Sequence, residues 1–94
     1  MSTGNFKTKF ETGRLVATPA AMETVMWAEM VAALSRHVCG DWGDLGDEDK
    51  ERNEAALKSG GQLLSVYHTV GGEKFWVITE PDRSYTTVLL PEDY

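Results

Sequence analysis

QLLSVYHTVGGEKFWVITEPDRSYTTVLLP, residues 62–91, decides the fold. Three runs rich in β-branched and aromatic residues, QLLSVYHTV, FWVITE and SYTTVLL, are separated by two compact turn signals. Gly71-Gly72 supplies the positive backbone angles of a hairpin, and Pro81-Asp82-Arg83 pairs a proline that presets φ with an aspartate that bonds locally. Runs joined by so few residues pair with their neighbours, so the C-terminal third reads as an antiparallel meander closed by Pro91. Alternation places Phe75, Val77 and Thr79 on one side of the middle strand and Trp76, Ile78 and Glu80 on the other. Both rows contain large apolar groups. Either the sheet is covered on both faces, or the Trp76 row is an exposed patch for a partner or for a second copy in a homodimer.

Upstream of the meander the period changes. Thr18-Pro19 is a helix start, with threonine as N-cap and proline at the first helical position. Met22, Val25, Met26, Met30, Ala33, Leu34 and Val38 then recur at helical spacing without an interrupting Gly or Pro, which predicts one long helix over 20–38 with room for a kink near Trp27–Met30. Gly40 is its stop, with Arg36 and His37 in the last turn complementing the dipole. Asp47 caps a second, mostly polar helix that ends at Gly60-Gly61. A short strand centred on Leu15 and Val16 precedes the first helix. The order is β-α-α-β-β-β: a small single α+β domain with a three- to four-stranded, largely antiparallel sheet and helices on one face. Residues 1–9 are polar and expected to be frayed.

Composition narrows the chemistry. Ninety-four residues make one domain. The formal charge of −6 disfavours direct binding of nucleic acid, because phosphate backbones are read by basic stripes and the chain has none. One cysteine, Cys39, fits a reducing compartment, and no segment has the apolar length of a membrane span or of a secretory signal, so a soluble cytoplasmic protein is expected.

The acid is concentrated in GDWGDLGDEDKERNE, residues 40–54, where seven acids (Asp41, Asp44, Asp47, Glu48, Asp49, Glu51, Glu54) face two bases (Lys50, Arg52). A calcium loop fails in both registers. Counting from Asp41 puts Gly43 and Leu45 at the third and fifth positions, and counting from Asp47 puts Arg52 at the sixth and Lys58 at the twelfth. The paired Cys/His ligands of a zinc site are missing: His37 reads as a surface histidine, Cys39 as a half-buried thiol and His68 as a strand residue. Neither Cys39 nor Ser65 or Ser84 sits in a nucleophile motif, and no phosphate loop or other cofactor signature is present.

Arg83 with Asp82, Ser84, Thr86 and Thr87 gathers charge and hydroxyls beside Trp76. One reading makes Arg83 a clamp on a loop carboxylate such as Asp41, stapling GDWGDL to the sheet with Trp42 packed beneath.

GDWGDL (40–45), Asn53, LLSVY (63–67) and above all WVITE-x-DRS-x-TTVLLPEDY (76–94) resemble a family of small uncharacterised bacterial proteins from plasmids, prophages and other mobile elements. The likeness runs over most of the chain from Phe10 onward. Relatives often break between two short helices where this chain has Met22–Met30. The resemblance carries no activity onto single residues. It implies a setting in which small acidic proteins inhibit host defence by blocking a nucleic-acid channel.

Two functions follow. The first is a non-catalytic binding protein, an anti-CRISPR or anti-restriction inhibitor, meeting a basic protein surface through Asp41, Trp42, Asp44, Asp47, Glu48, Asp49, Glu51, Glu54, Trp76 and Arg83. The second is a small enzyme or ligand-binding domain with a polar pocket around Asp41, Asn53, Tyr67, Glu80 and Arg83. Neither uses a metal or a cofactor.

Overall fold

The computed structural model describes residues 7–94. It is an α+β domain with one four-stranded sheet and three helices. Strand β1 (Arg14–Ala17) leads into α1 (Pro19–Thr24), α2 (Trp27–Val38) and α3 (Asp47–Ser59), then β2 (Leu63–His68), β3 (Lys74–Thr79) and β4 (Tyr85–Leu89). A single 3-10 turn, Pro91–Asp93, follows. The spatial order is β1-β4-β3-β2. The three meander strands pair antiparallel, with Val77 opposite both Ser65 and Val88, because their turns are too short for anything else. β1 adds to the far side of β4 in parallel, Leu15 opposite Thr86 and Ala17 opposite Val88. Of the frayed terminus expected over 1–9, residues 1–6 lie outside the described residues, and the Lys9 N–H donates to the Val38 carbonyl at 2.7 Å.

The single long helix is replaced by two. Thr18 caps α1 through its hydroxyl, 3.1 Å from the Ala21 N–H, and Pro19 opens it as expected. After one further turn Val25 leaves the helical region (φ −105°, ψ 124°) while its N–H still donates to the Ala21 carbonyl. Met26 is extended as well, and its N–H is taken by the Glu29 carboxylate, which starts α2 afresh. The consecutive β-branched residues Thr24 and Val25 disfavour continuation, and the break drives Val25 into the core. The apolar period could not reveal it, because α1 and α2 both pack on the same sheet face and keep the spacing between them. Met22 and Met26, which that spacing assigned to the core, turn outward and are 66% and 71% exposed.

The core lies between this helix layer and one face of the sheet. Ala21, Val25, Met30 and Ala33 pack on Tyr67, Phe75, Val77 and Val88. A fully buried Phe such as Phe75 contributes about 2–3 kcal/mol of transfer free energy. A second cluster, Trp42, Ala56 and Leu63 with Phe10 and Leu45 against it, fastens α3 and its preceding loop to the β2 border. Among the described residues no α-helix packs on the opposite sheet face, where Val66, Ile78 and Leu89 are nonetheless buried. Trp76 is half-buried there, with its ring 5.5 Å from that of Tyr94 in an edge contact.

Candidate functional site

Gly40, at φ +83°, ends the helix layer, and residues 41–46 then run beside β2. The Val66 N–H donates to the Trp42 carbonyl (3.1 Å), and the Asp44 N–H donates to the Val66 carbonyl (2.8 Å). This one-residue parallel bridge brings Gly43 against the strand. Only glycine fits: a Cβ there would lie 2.0 Å from the Val66 carbonyl oxygen and 2.8 Å from the Tyr67 ring, at φ +75°. Asn53 continues the seal, donating through Nδ2 to the Leu64 carbonyl (2.7 Å) and accepting the Leu64 N–H at Oδ1 (3.1 Å). One side chain thus supplies both halves of a missing strand neighbour.

Trp42 is 4% exposed. Its Nε1 donates to the Glu54 carboxylate at 2.9 Å, and its ring stacks with Phe10 and meets His37 edge-on. It pegs loop to helix and has no surface left for a partner. Asp41 binds Arg36 with both oxygens (2.8 and 3.2 Å) and also accepts the Gly43 N–H. The Arg36 guanidinium beside it holds the Asp41 carboxyl below the usual carboxylate range. Tyr67 donates to the Asp41 carbonyl at 2.6 Å, and burial pushes its hydroxyl up to about 12.

Arg83 makes a different contact from the clamp on Asp41. Its guanidinium donates to four main-chain carbonyls: Gly61 (2.6 Å), Ala56 (3.0 Å), Glu80 (3.1 Å) and Pro81 (3.2 Å). A cation at the C-terminal end of α3 complements the helix dipole; the Ala56 carbonyl also accepts the Gly60 and Gly61 N–H groups. Its own backbone is held at φ +61° by a turn in which Asp82 accepts the Ser84 N–H.

The seven acids therefore divide. Asp41, Asp49 (paired with Arg52 at 2.7 Å) and Glu54 are engaged within the fold. Asp44 is exposed, with His68 Nδ1 3.9 Å away. Asp47, Glu48 and Glu51 stand in solvent on α3. Gly46, rather than Asp47, is the N-cap, so Asp47 and Glu48 occupy the first turn, where a negative charge favours the helix. Trp76 is on the sheet face opposite the helices and does not join the acids.

The pocket around Asp41, Asn53, Tyr67, Glu80 and Arg83 does not assemble. Asn53 and Arg83 are saturated by main-chain groups, and Glu80 meets Arg83 only through its carbonyl. The adjoining cleft, about 250 Å³, is lined by Arg36, Gly43, Asp44, Val66, Tyr67 and His68 instead. Among the described residues no three His, Cys, Asp or Glu side chains are placed to hold a metal ion, and no helix is long and apolar enough to cross a membrane.

His37 is a finding that spacing missed. It is fully buried, not a surface histidine. Its Nδ1 lies 2.6 Å from the Ser65 hydroxyl and its Nε2 2.9 Å from that of Thr79, which bonds Thr86 (2.7 Å), which donates to the Thr12 carbonyl. Burial, then the nearby Arg83 charge, push its pKa down to about 4. A serine at hydrogen-bond distance from a neutral imidazole has the outline of a nucleophile and base. Ser65, Thr79 and Thr86 are 0% exposed, however, and the orienting partner is a hydroxyl in place of a carboxylate. The chain of bonds satisfies a polar core. Comparisons of the chain with family models, with curated proteins and with solved structures find no match.

Proposed function

We propose that the protein is a non-catalytic binding module that presents the acidic face of α3 and its leading loop to a basic protein surface. The observation that carries this reading is the division of the carboxylates. Asp44, Asp47, Glu48 and Glu51 are left in solvent by a loop and helix that are otherwise fastened at Gly43, Asn53, Trp42 and Arg83. Charges on a rigid frame lose little entropy on engagement and steer association through long-range attraction. A row of carboxylates offers lysines and arginines the charge they otherwise meet on phosphates. The partner class is thus a protein whose own ligand is nucleic acid. With the resemblance to mobile-element proteins, the reading narrows to an inhibitor of host defence of the anti-CRISPR or anti-restriction kind, acting by occlusion.

Capture from nuclease-treated host lysate at low and at high salt tests it. Nucleic-acid-binding proteins should be retained at about 50 mM salt and released at about 500 mM, since the Debye length falls from over 10 Å to about 4 Å. Failure to retain any such protein at low salt overturns the proposal.

A further inference from the structure

The two borders of the sheet are treated differently. The β2 border is sealed at Leu64 by the Asn53 amide and at Val66 by the 42–44 loop. Among the described residues the β1 border has no such cover. The Arg14 and Thr18 N–H groups point inward, to the Ser84 and Val88 carbonyls. The alternation of a parallel strand then turns the main-chain groups of Leu15 and Ala17 outward. Beside this open edge Leu15, Met22, Trp27 and Val31 line two confluent hollows of about 360 and 440 Å³, with Val25, Met30 and Leu34 as their floor. Trp27 is 78% exposed, and Met26 next to it 71%. The exposed fractions of these side chains leave roughly 600 Å² of apolar surface open, at the top of the ~300–600 Å² of a monomer's largest patch and near the ~800 Å² a partner buries in a standard interface.

We infer that this border is a self-association face, and that two copies join β1 to β1 antiparallel about a two-fold axis, forming one eight-stranded sheet. Leu15 then pairs with Ala17 of the second copy and Ala17 with its Leu15, which makes four main-chain hydrogen bonds. Val16 faces Val16 across the axis as a non-hydrogen-bonded pair on the side opposite α1 and α2. The Trp27 ring of each copy covers the hollows of the other.

Charge selects a second copy as the occupant. A chain of net charge −6 repels itself, but residues 40–54 at the β2 border, with seven acids against two bases, carry −5 of that charge. With the two β1 strands adjacent, seven strand spacings of ~4.8 Å separate the two acidic borders, about 34 Å, far beyond the ~8 Å Debye length. The association is independent of the reading of the acidic face, and would display that face twice.

Sedimentation equilibrium from ~5 to ~500 µM tests it, with a dimer constant on the order of 10 µM expected for an interface at the small end of the range. Trp27→Glu and Leu15→Lys should each weaken it at least tenfold. Both residues are exposed, so the thermal transition should be kept. In a Cys39→Ser background, Val16→Cys should oxidise to a disulfide-linked dimer much faster than Lys58→Cys, because the axis brings the two positions to ~4.5 Å between Cα atoms. A chain that is monomeric throughout the range, or a Val16→Cys no faster than Lys58→Cys, overturns the inference and leaves the border to an extended strand of a different protein.

Discussion

His37 carries an electrostatic cost that makes the fold sensitive to acid. Unfolded, its imidazole protonates near 6.5; folded, burial lowers that to about 4. Between those values the unfolded chain binds the extra proton, so the stabilisation is complete above about pH 6.5 and is lost as pH falls toward 4. A shift of that size corresponds to about 3 kcal/mol. The unfolding free energy from urea titrations at pH 7.5 to 4 should fall by about that amount, and His37→Gln should flatten the profile within this window. An unchanged slope in the variant would contradict the account. Gly43 offers a second residue-level check. Gly43→Ala places a Cβ 2.0 Å from the Val66 carbonyl oxygen at an unfavourable φ. It should cost about 3 kcal/mol, a fall in Tm of more than about 10 °C by calorimetry. Some of this scale was legible in the sequence. Trp42 as a peg, Thr18 as a cap and Asp82 as a turn former follow from local chemistry. The target of Arg83 did not, because a guanidinium is satisfied by carbonyls as well as by carboxylates. His37 was hidden since its partners Ser65 and Thr79 lie 28 and 42 residues away.

At the scale of elements, the meander was readable because two connections of five residues each leave neighbouring strands no other pairing. The break at Val25–Met26 was not readable from periodicity, because it preserves the apolar spacing while changing which side chains face out; only the resemblance, whose relatives break within Met22–Met30, pointed to it. β1 gave a strand signal but no partner: its parallel pairing to β4 is made some seventy residues downstream. Asn53 shows how an element can be completed by a side chain. Asn53→Ala removes two hydrogen bonds to a buried strand border and should cost about 2–3 kcal/mol. It should also bare the Leu64 edge, so light scattering on heating should rise earlier than in the wild type. Asn53→Asp keeps one acceptor but loses the donor, and should fall between the two.

For the whole molecule, the sheet divides the surface into regions of different character. The β2 border and α3 carry the exposed cluster Asp44, Asp47, Glu48 and Glu51, the other border carries Trp27 and its apolar neighbours, and the face opposite α1 and α2 carries Trp76 and Tyr94. Net charge alone pointed to a basic partner; the spatial sorting is why α3 is the face proposed to meet it, while Trp42 and Arg83 are engaged within the fold and Asp41 is paired with Arg36. The most direct test compares partner capture by three chains at low salt: wild type, Glu48→Lys/Glu51→Lys, and Trp76→Ala. The acidic-face variant should lose the nucleic-acid-binding proteins that the wild type retains, and Trp76→Ala should keep them. Equal retention by the wild type and the Glu48→Lys/Glu51→Lys chain would contradict the acidic face as the binding surface.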